Sequence, residues 1–274
     1  MWVKIAYFLQ ALFIKNDKRC PYCHRADYEV VAKKYKLVDI CFCKKCSLYW
    51  TNPIFRFPYF YNFFYNFSNN KVSNSGEREI KQLLESNFKN SGRDYKLLLV
   101  KLRKIVFGNK ILEFGSSWGY FLWQARKLGF DVTGVEISVR CREIGKKLGL
   151  TILPDLDGLV KKNKKFNLIF TSHVLEHVGS EINLVFDKFY KLLENNGLLF
   201  IEVPNLLHKN NHIDSKLMGA FHPLGFSKEF FLKNLSQKGF SKIKIFVGYN
   251  KLLKNYQNDN SSLIIMARKS KKTI

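Results

Sequence analysis

The sequence predicts an α/β protein: a seven-stranded, mostly parallel sheet with helices on both faces, preceded by a small cysteine-rich module. Three observations predict it. After Gly108, short apolar runs alternate with helical stretches, the pattern of strands joined by crossover helices. Five of the six cysteines crowd into residues 20–46. The first apolar run ends in a glycine-bearing turn, Glu113-Phe114-Gly115-Ser116-Ser117-Trp118-Gly119, of the kind that lets backbone approach a ligand closely.

Size and composition agree with this division. The 274 residues, 46% of them hydrophobic, suffice for one large α/β domain and a small module. No stretch reaches the roughly 20 apolar residues of a membrane-spanning helix. Basic residues outnumber acidic ones 46 to 22, a net charge of +24, which invites nucleic acid, an anionic membrane surface or an acidic substrate as partner. The charge is carried by 36 lysines against 10 arginines, spread over predicted helix faces such as 161–165, and is read as background.

Residues 1–15 form the first element. Trp2, Ile5, Phe8, Leu9, Leu12 and Phe13 recur at helical spacing around Lys4. The segment lacks the charged start and cleavage site of a secretory signal, so it either docks on the protein's own core or lies on a membrane surface. Without an export signal, the expected location is the cytoplasm. At the other end, Arg268 to Lys272 reads as a solvated basic tail.

Residues 16–52 form the cysteine module. Cys20-Pro-Tyr-Cys23 and Cys43-Lys-Lys-Cys46 are two CxxC pairs 19 residues apart, a spacing that brings four thiolates to one tetrahedral zinc in a ribbon-like module. Disulfides would need an oxidising compartment. Four thiolates close the coordination shell, so the zinc is expected to be structural, and Lys44 and Lys45 offset its negative charge. Cys41 and His24 are alternative ligands that more simply pack or face solvent. Cys141 reads as a small buried hydrophobe.

Residues 53–107 combine an aromatic-rich linker with two helices, 77–90 and 93–106. Phe55 to Phe67 holds nine aromatic residues in thirteen. So much apolar surface must cover something, either by packing between modules or as a stacking wall for a ligand.

The main domain spans 108–269. Its strands are KILEF, DVTGVE, LTIL, FNLIFTS, GLLFIEV, IKIFVG and SLIIMAR, and its helices 118–128, 138–148, 181–193 and 227–238. Glu136 closes the second strand 21 residues after Gly115, where a carboxylate accepts hydrogen bonds from ribose hydroxyls. A nicotinamide cofactor is the weaker reading, because the GxGxxG pattern is absent.

At these residues the chain resembles the class I S-adenosylmethionine-dependent methyltransferases, whose Rossmann-like domain it matches from about 108 to 268. ILEFGSSWGYFL, VTGVEIS, FNLIFTSHVLEHV and LLENNGLLFIEVPN are similar to the four ordered motifs of that family. The preceding CxxC pairs with Thr51-Asn52-Pro53 make the chain similar to the zinc-ribbon-bearing small-molecule and sugar methyltransferases. The resemblance implies that Glu113, Gly115, Ser117 and Gly119 surround the methionine part of the cofactor, that Glu136 holds its ribose, and that Asp155 and Leu156 flank its adenine. Ser172 and His173 would line the pocket near the sulfonium. The chain departs from the family at Ser117, where the middle glycine stands, and at Trp118; either change narrows the pocket or weakens binding.

Histidine suits a general base at neutral pH, and five of six histidines follow residue 170. In the sugar methyltransferases the insertion after the fifth strand carries a His-rich stretch ending in Phe-Ser, which Phe221-His222-Pro223-Leu224-Gly225-Phe226-Ser227 resembles in shortened form. His222 keeps the spacing of the base but has Phe221 where an acidic neighbour stands. It is therefore either the base or a substrate-contact or structural residue; His173 is the second catalytic candidate. His173-Val174-Leu175-Glu176-His177 matches a metalloprotease pattern, rejected because it leaves a buried strand in an α/β order, although a metal-assisted transferase using Glu176 and His177 stays open. The expected activity is methyl transfer to a small molecule or saccharide. The alternatives are an RNA methyltransferase whose zinc module contacts RNA, or a non-catalytic cofactor-binding scaffold.

Overall fold

A computed structural model describes residues 17–34, 36–54, 76–207, 213–250, 252–253 and 260–270. The expected helix at 1–15, the aromatic stretch 55–67, His208 and His212 lie outside the described residues.

The elements run in chain order as β1 (Tyr28–Lys34), β2 (Val38–Cys43), β3 (Tyr49–Asn52), α1 (Glu77–Glu85), α2 (Lys96–Ile105), β4 (Lys110–Phe114), α3 (Tyr120–Lys127), β5 (Asp131–Val135), α4 (Val139–Lys147) and β6 (Ile152–Leu153). They continue with α5 (Asp157–Lys161), β7 (Phe166–Ser172), α6 (Ile182–Leu192), β8 (Leu193–Pro204), β9 (Leu224–Gly225), α7 (Lys228–Gln237), β10 (Phe240–Val247) and β11 (Ser262–Lys269). Three 3₁₀ turns, Leu175–His177, Gly179–Glu181 and Ser215–Leu217, lie between them.

Seven strands make one sheet in the order β10-β11-β8-β7-β4-β5-β6. β4 is parallel to β5 and β7, β5 is parallel to β6, and β10 and β11 are antiparallel. Each of the seven apolar runs is a strand. β11 pairs Arg268 with Ser241 and Lys269 with Phe240, so the basic end expected as a tail is in part an inner strand of the sheet. A second, antiparallel sheet has the order β1-β2-β3-β9. Its fourth strand is only two residues long and comes from the insertion after β8. Periodicity does not reveal a strand that short.

The described residues fall into two compact units, one of 76–171 and 191–199, the other of 17–54, 172–190 and 200–270. This grouping joins the cysteine module to the last third of the chain, which a linear division into 16–52, 53–107 and 108–269 does not express.

In the first unit the ring of Phe121 stacks on Phe170 with centroids 3.9 Å apart, and Tyr95 meets both edge-on. Aromatic pairs of this kind add about 0.5–1.5 kcal/mol to their burial. Gln124 is buried and fully used: it donates to Arg93 O and Tyr120 O and accepts from Tyr95 N. α4 starts at Ser138, whose hydroxyl accepts from Cys141 N, the N-cap geometry that satisfies an otherwise orphaned amide.

In the second unit the cysteine knuckle docks on α7. Asn234 donates to Cys46 O at 2.8 Å, and the Ser227 hydroxyl donates to Ser47 O while capping α7 at Phe230 N. Tyr22 packs edge-on against Phe230 and Phe186. Asn52 clamps the start of the module by accepting from Asp17 N and donating to Asp17 O. Among the described residues no helix is long and apolar enough to cross a membrane.

Candidate active site

Both units hold chemistry-bearing residues. In the first unit, the turn after β4 is folded by its own backbone. Gly115 N and Ser116 N both donate to Val135 O, and Gly119 N donates to Ser116 O. Gly115 and Gly119 take φ of +79° and +90°, and a Cβ on Gly119 would stand 2.4 Å from Leu150 Cδ1. Ser117 also adopts a left-handed φ, +50°. The turn therefore keeps the shape a glycine would give it, at a cost of about 1–2 kcal/mol for a residue bearing a Cβ.

Glu136 holds this turn against the start of α4. Its Oε2 accepts from Ser117 N at 2.9 Å and its Oε1 from Ser138 N at 2.8 Å. Glu113 is 4% exposed and its Oε2 has no hydrogen-bond partner. Burial first, and then the charge of Glu136, raises its carboxyl well above the ordinary range. Burial likewise raises Glu136, opposed by its backbone donors and Arg142. A buried carboxyl whose Oε2 has no hydrogen-bond partner among the described residues, beside a glycine turn, suits a cationic donor such as an ammonium. Glu113, Gly115, Ser117, Gly119 and Glu136 are thus brought together, as the motif implies.

Asp155 is exposed and caps α5, its Oδ1 accepting from Asp157 N and Gly158 N; Leu156 beside it is buried. Trp118 does not obstruct the turn. Its ring is 0% exposed, stacked on Phe88 and packed with Ile80 and Cys141, so the expected narrowing of the pocket is replaced by a core contact. Cys141 is the buried hydrophobe its position suggested.

The second unit holds two clusters of ligand-type residues. Cys20, Cys23, Cys43 and Cys46 place their sulfurs within 4.8 Å of one another, with Cys20–Cys46 and Cys23–Cys43 each at 3.5 Å. A tetrahedron of about 2.3 Å Zn–S bonds spaces its sulfurs by about 3.8 Å, so the four thiols fit such an ion. Cys41 stays outside this set; it is buried opposite Trp50, and burial pushes its thiol up to about 12. His24 is exposed.

The other cluster follows β7. The Ser172 hydroxyl and the Tyr249 hydroxyl each donate to Glu202 Oε2 at 2.7 Å. His173, at φ +54°, lies between two buried carboxylates, with Nδ1 3.5 Å from Glu176 Oε1 and Nε2 3.5 Å from Glu202 Oε1. Burial alone would lower its pKa, but the contacts and negative charge of both glutamates win and lift it to about 10. Conversely, burial raises Glu202 but His173, Tyr249 and Ser172 bring it below its ordinary value.

His177 Nδ1 bonds the carbonyl of Phe221, and His222 Nδ1 bonds Leu217 O at 2.9 Å. A carbonyl only accepts, so each Nδ1 carries a hydrogen and each neutral ring keeps its lone pair on Nε2. The two rings meet edge to face, 4.6 Å apart. His222 and Glu176 line a small cavity of about 10 Å³, room for one water-sized group, with Pro204, Leu206, Met218, Phe226 and their neighbours.

The cysteine module packs behind this cavity's lining. β3 pairs with β9, Thr51 N donates to Pro223 O, and Lys34 Nζ donates to Ser215 O and Met218 O. Ile40 packs with Leu206 and Met218. Glu202 and Tyr249 were not expected here. An acid inside the apolar run GLLFIEV is the signal that would have found Glu202, since an acid is rarely buried without a partner; nothing local marks Tyr249.

The family profile described as a methyltransferase domain matches residues 74–239, more than half of the chain. Similar solved structures include an S-adenosylmethionine-dependent methyltransferase from Archaeoglobus fulgidus (TM-score 0.50, 18% identity, covering 69% of this chain and 99% of that one). A TehB-like S-adenosylmethionine-dependent methyltransferase from Corynebacterium glutamicum is similar at TM-score 0.50 and 17% identity, covering 70% of this chain and 95% of that one. At these identities the likeness is one of fold. No curated protein matches the chain in sequence.

Proposed function

The chain belongs to the methyltransferase domain family and is an S-adenosylmethionine-dependent methyltransferase; on that premise we propose that it methylates a small-molecule or saccharide acceptor, with His222 as general base. The observation that carries this reading is the orientation of His222, whose Nδ1 bond to Leu217 O aims Nε2 away from the backbone beside a small cavity.

S-adenosylmethionine, when bound, supplies a methyl group on a sulfonium. Glu113, Gly115, Ser117 and Gly119 would hold its methionine part, the remaining lone pairs of Glu136 its ribose hydroxyls, and Asp155 with Leu156 its adenine. His222 Nε2 takes the proton that an acceptor hydroxyl must lose, a contribution of about 10²- to 10⁴-fold. His173 is not suited to that step: paired with Glu176 and Glu202, it is already protonated at neutral pH. In this reading it is a fixed positive charge that, with Ser172, orders Glu202. Cys20, Cys23, Cys43 and Cys46 would hold a structural zinc, and the module would position the segment bearing His222.

The test is turnover against a panel of sugars, nucleotide sugars and small hydroxyl compounds, comparing wild type with His222→Ala and measuring S-adenosylhomocysteine binding in both. The reading expects His222→Ala to lose at least about 100-fold in kcat with cofactor affinity retained; full turnover by the variant removes His222 as base. A second reading, RNA methylation, is favoured by the net charge of +24 and by the exposed run Lys161, Lys162 and Lys164. Retention on RNA that weakens steeply with salt, together with RNA methylation, would favour it.

A further inference from the structure

Glu176, His177 and His222 each offer one ligand atom, and the three atoms lie within 4.8 Å of one another. We propose that these residues bind a divalent transition-metal ion, separate from the four-cysteine site. The inference rests on the reading of this site as the acceptor site only in what it adds: with an ion bound, the Nε2 lone pair of His222 is a ligand and no longer the base, and the ion would instead acidify an acceptor hydroxyl held at its open positions.

Two independent features support the site. The first is the orientation of the imidazoles. Histidines that ligate a metal donate their other ring N–H to a carbonyl or carboxylate, which fixes the tautomer and aims the lone pair. His177 does so to Phe221 O and His222 to Leu217 O, two carbonyls of the same short insertion. The His177 Nε2 lies 4.0 Å from Glu176 Oε1.

The second feature is Glu176 itself. It is 1% exposed, and neither carboxylate oxygen has a hydrogen-bond partner among the described residues. A buried carboxylate without hydrogen bonds is costly, and the contact at 3.5 Å to His173 engages only Oε1. An ion held by Glu176 and the two Nε2 atoms would satisfy it. Bonds of about 2.0–2.2 Å need the three ligand atoms to draw together by about 1 Å, and the small cavity on Glu176 and His222 leaves room for about one water as a further ligand.

The donor set selects the metal. Two imidazoles and one carboxylate with open positions suit Fe²⁺, Co²⁺, Zn²⁺ or Mn²⁺; Mg²⁺ and Ca²⁺ prefer oxygen, and thiolate-seeking ions go to the cysteines.

The probe is Co²⁺, titrated into the full-length protein after one equivalent of Zn²⁺ has been supplied for the thiols. The proposal expects a further equivalent of Co²⁺ to bind with visible ligand-field bands and no thiolate charge-transfer absorption. His177→Ala and Glu176→Gln, confirmed as folded by thermal melting, are expected to weaken that binding by at least about tenfold. Should either variant fail to fold, His222→Ala gives the same readout. Absence of a thiolate-free Co²⁺ site in the wild type, or equal binding by the folded variants, overturns the proposal and leaves Glu176 as a counter-ion of His173. S-adenosylhomocysteine binding, followed in the same samples, reports on the cofactor reading separately, so failure of one is distinguished from failure of the other.

Discussion

The turn around Glu113 and Glu136 and the cavity around His222 are built in opposite ways. The bond that closes the turn, Ser117 N to Glu136, joins residues 19 apart in sequence. The cavity depends on Lys34 reaching Met218 across 184 positions, on Asn234 reaching Cys46 across 188, and on His177 reaching Phe221 across 44. A βα turn folds its own segment. The packing behind the cavity's lining forms only once the cysteine module has docked, so its ordering must overcome long-range loop closure. Local construction makes the first region robust to distant change, and distant construction makes the second depend on a metal-type site outside the methyltransferase core.

The largest expected effect tests that dependence. On the proposal that the four cysteines hold zinc, Cys43→Ser or treatment with a chelator should loosen β9 and the 215–222 segment, since structural zinc contributes on the order of 10 kcal/mol to the folding of small modules. Amide hydrogen exchange should then speed by at least about 100-fold at Leu224 and Gly225. Protection within 113–138 should persist, and equal loss in both regions would erase the contrast drawn here.

Glu113→Gln probes the local region. The native state raises the Glu113 carboxyl through burial and the charge of Glu136. As pH rises from the ordinary carboxylate value towards the raised one, the unfolded chain releases its proton first and native stability falls. The variant should remove that loss, stabilising the ligand-free protein by about 1–3 kcal/mol at neutral pH while weakening S-adenosylhomocysteine binding at least about tenfold. Urea denaturation between about pH 4 and 8, with calorimetry, reads both.

Tyr249→Phe removes one of the two hydroxyl donors to Glu202 Oε2. A bond to a charged group is worth about 1.5–3 kcal/mol, and the loss should appear in urea denaturation with cofactor affinity unchanged. The smallest effect is expected for Ser117→Gly. Relief of the left-handed φ is opposed by the greater freedom of glycine in the unfolded chain, leaving a gain of about 0.5–1 kcal/mol. A loss of stability would mean that Ser117 is not strained.

The two regions were also unequally legible. Glu113, Gly115, Ser117, Gly119 and Glu136 stand together as their spacing implied, because strand, turn and helix signals within one βα unit are local. The four cysteine ligands converge for the same reason, two knuckles carrying their ligands at fixed spacing. Trp118 was misread because sequence places it beside the turn, whereas Phe88, Ile80 and Cys141 take its ring into the core. Glu202 was missed because an acid inside an apolar strand run has no local mark of the partners that keep it charged.

Sequence alone therefore determined the seven strands, the glycine turn and the four thiols, features set by periodicity and short-range backbone geometry. Only the tertiary structure decided which histidine is paired with carboxylates and which ring nitrogen of the other is left open. His173 is charged because Glu176 and Glu202 flank it, and His222 is open because Leu217 O occupies its Nδ1. The chain carries the identities of these residues, but their surroundings are set where β7 meets β8 and where the 215–222 segment folds back on itself.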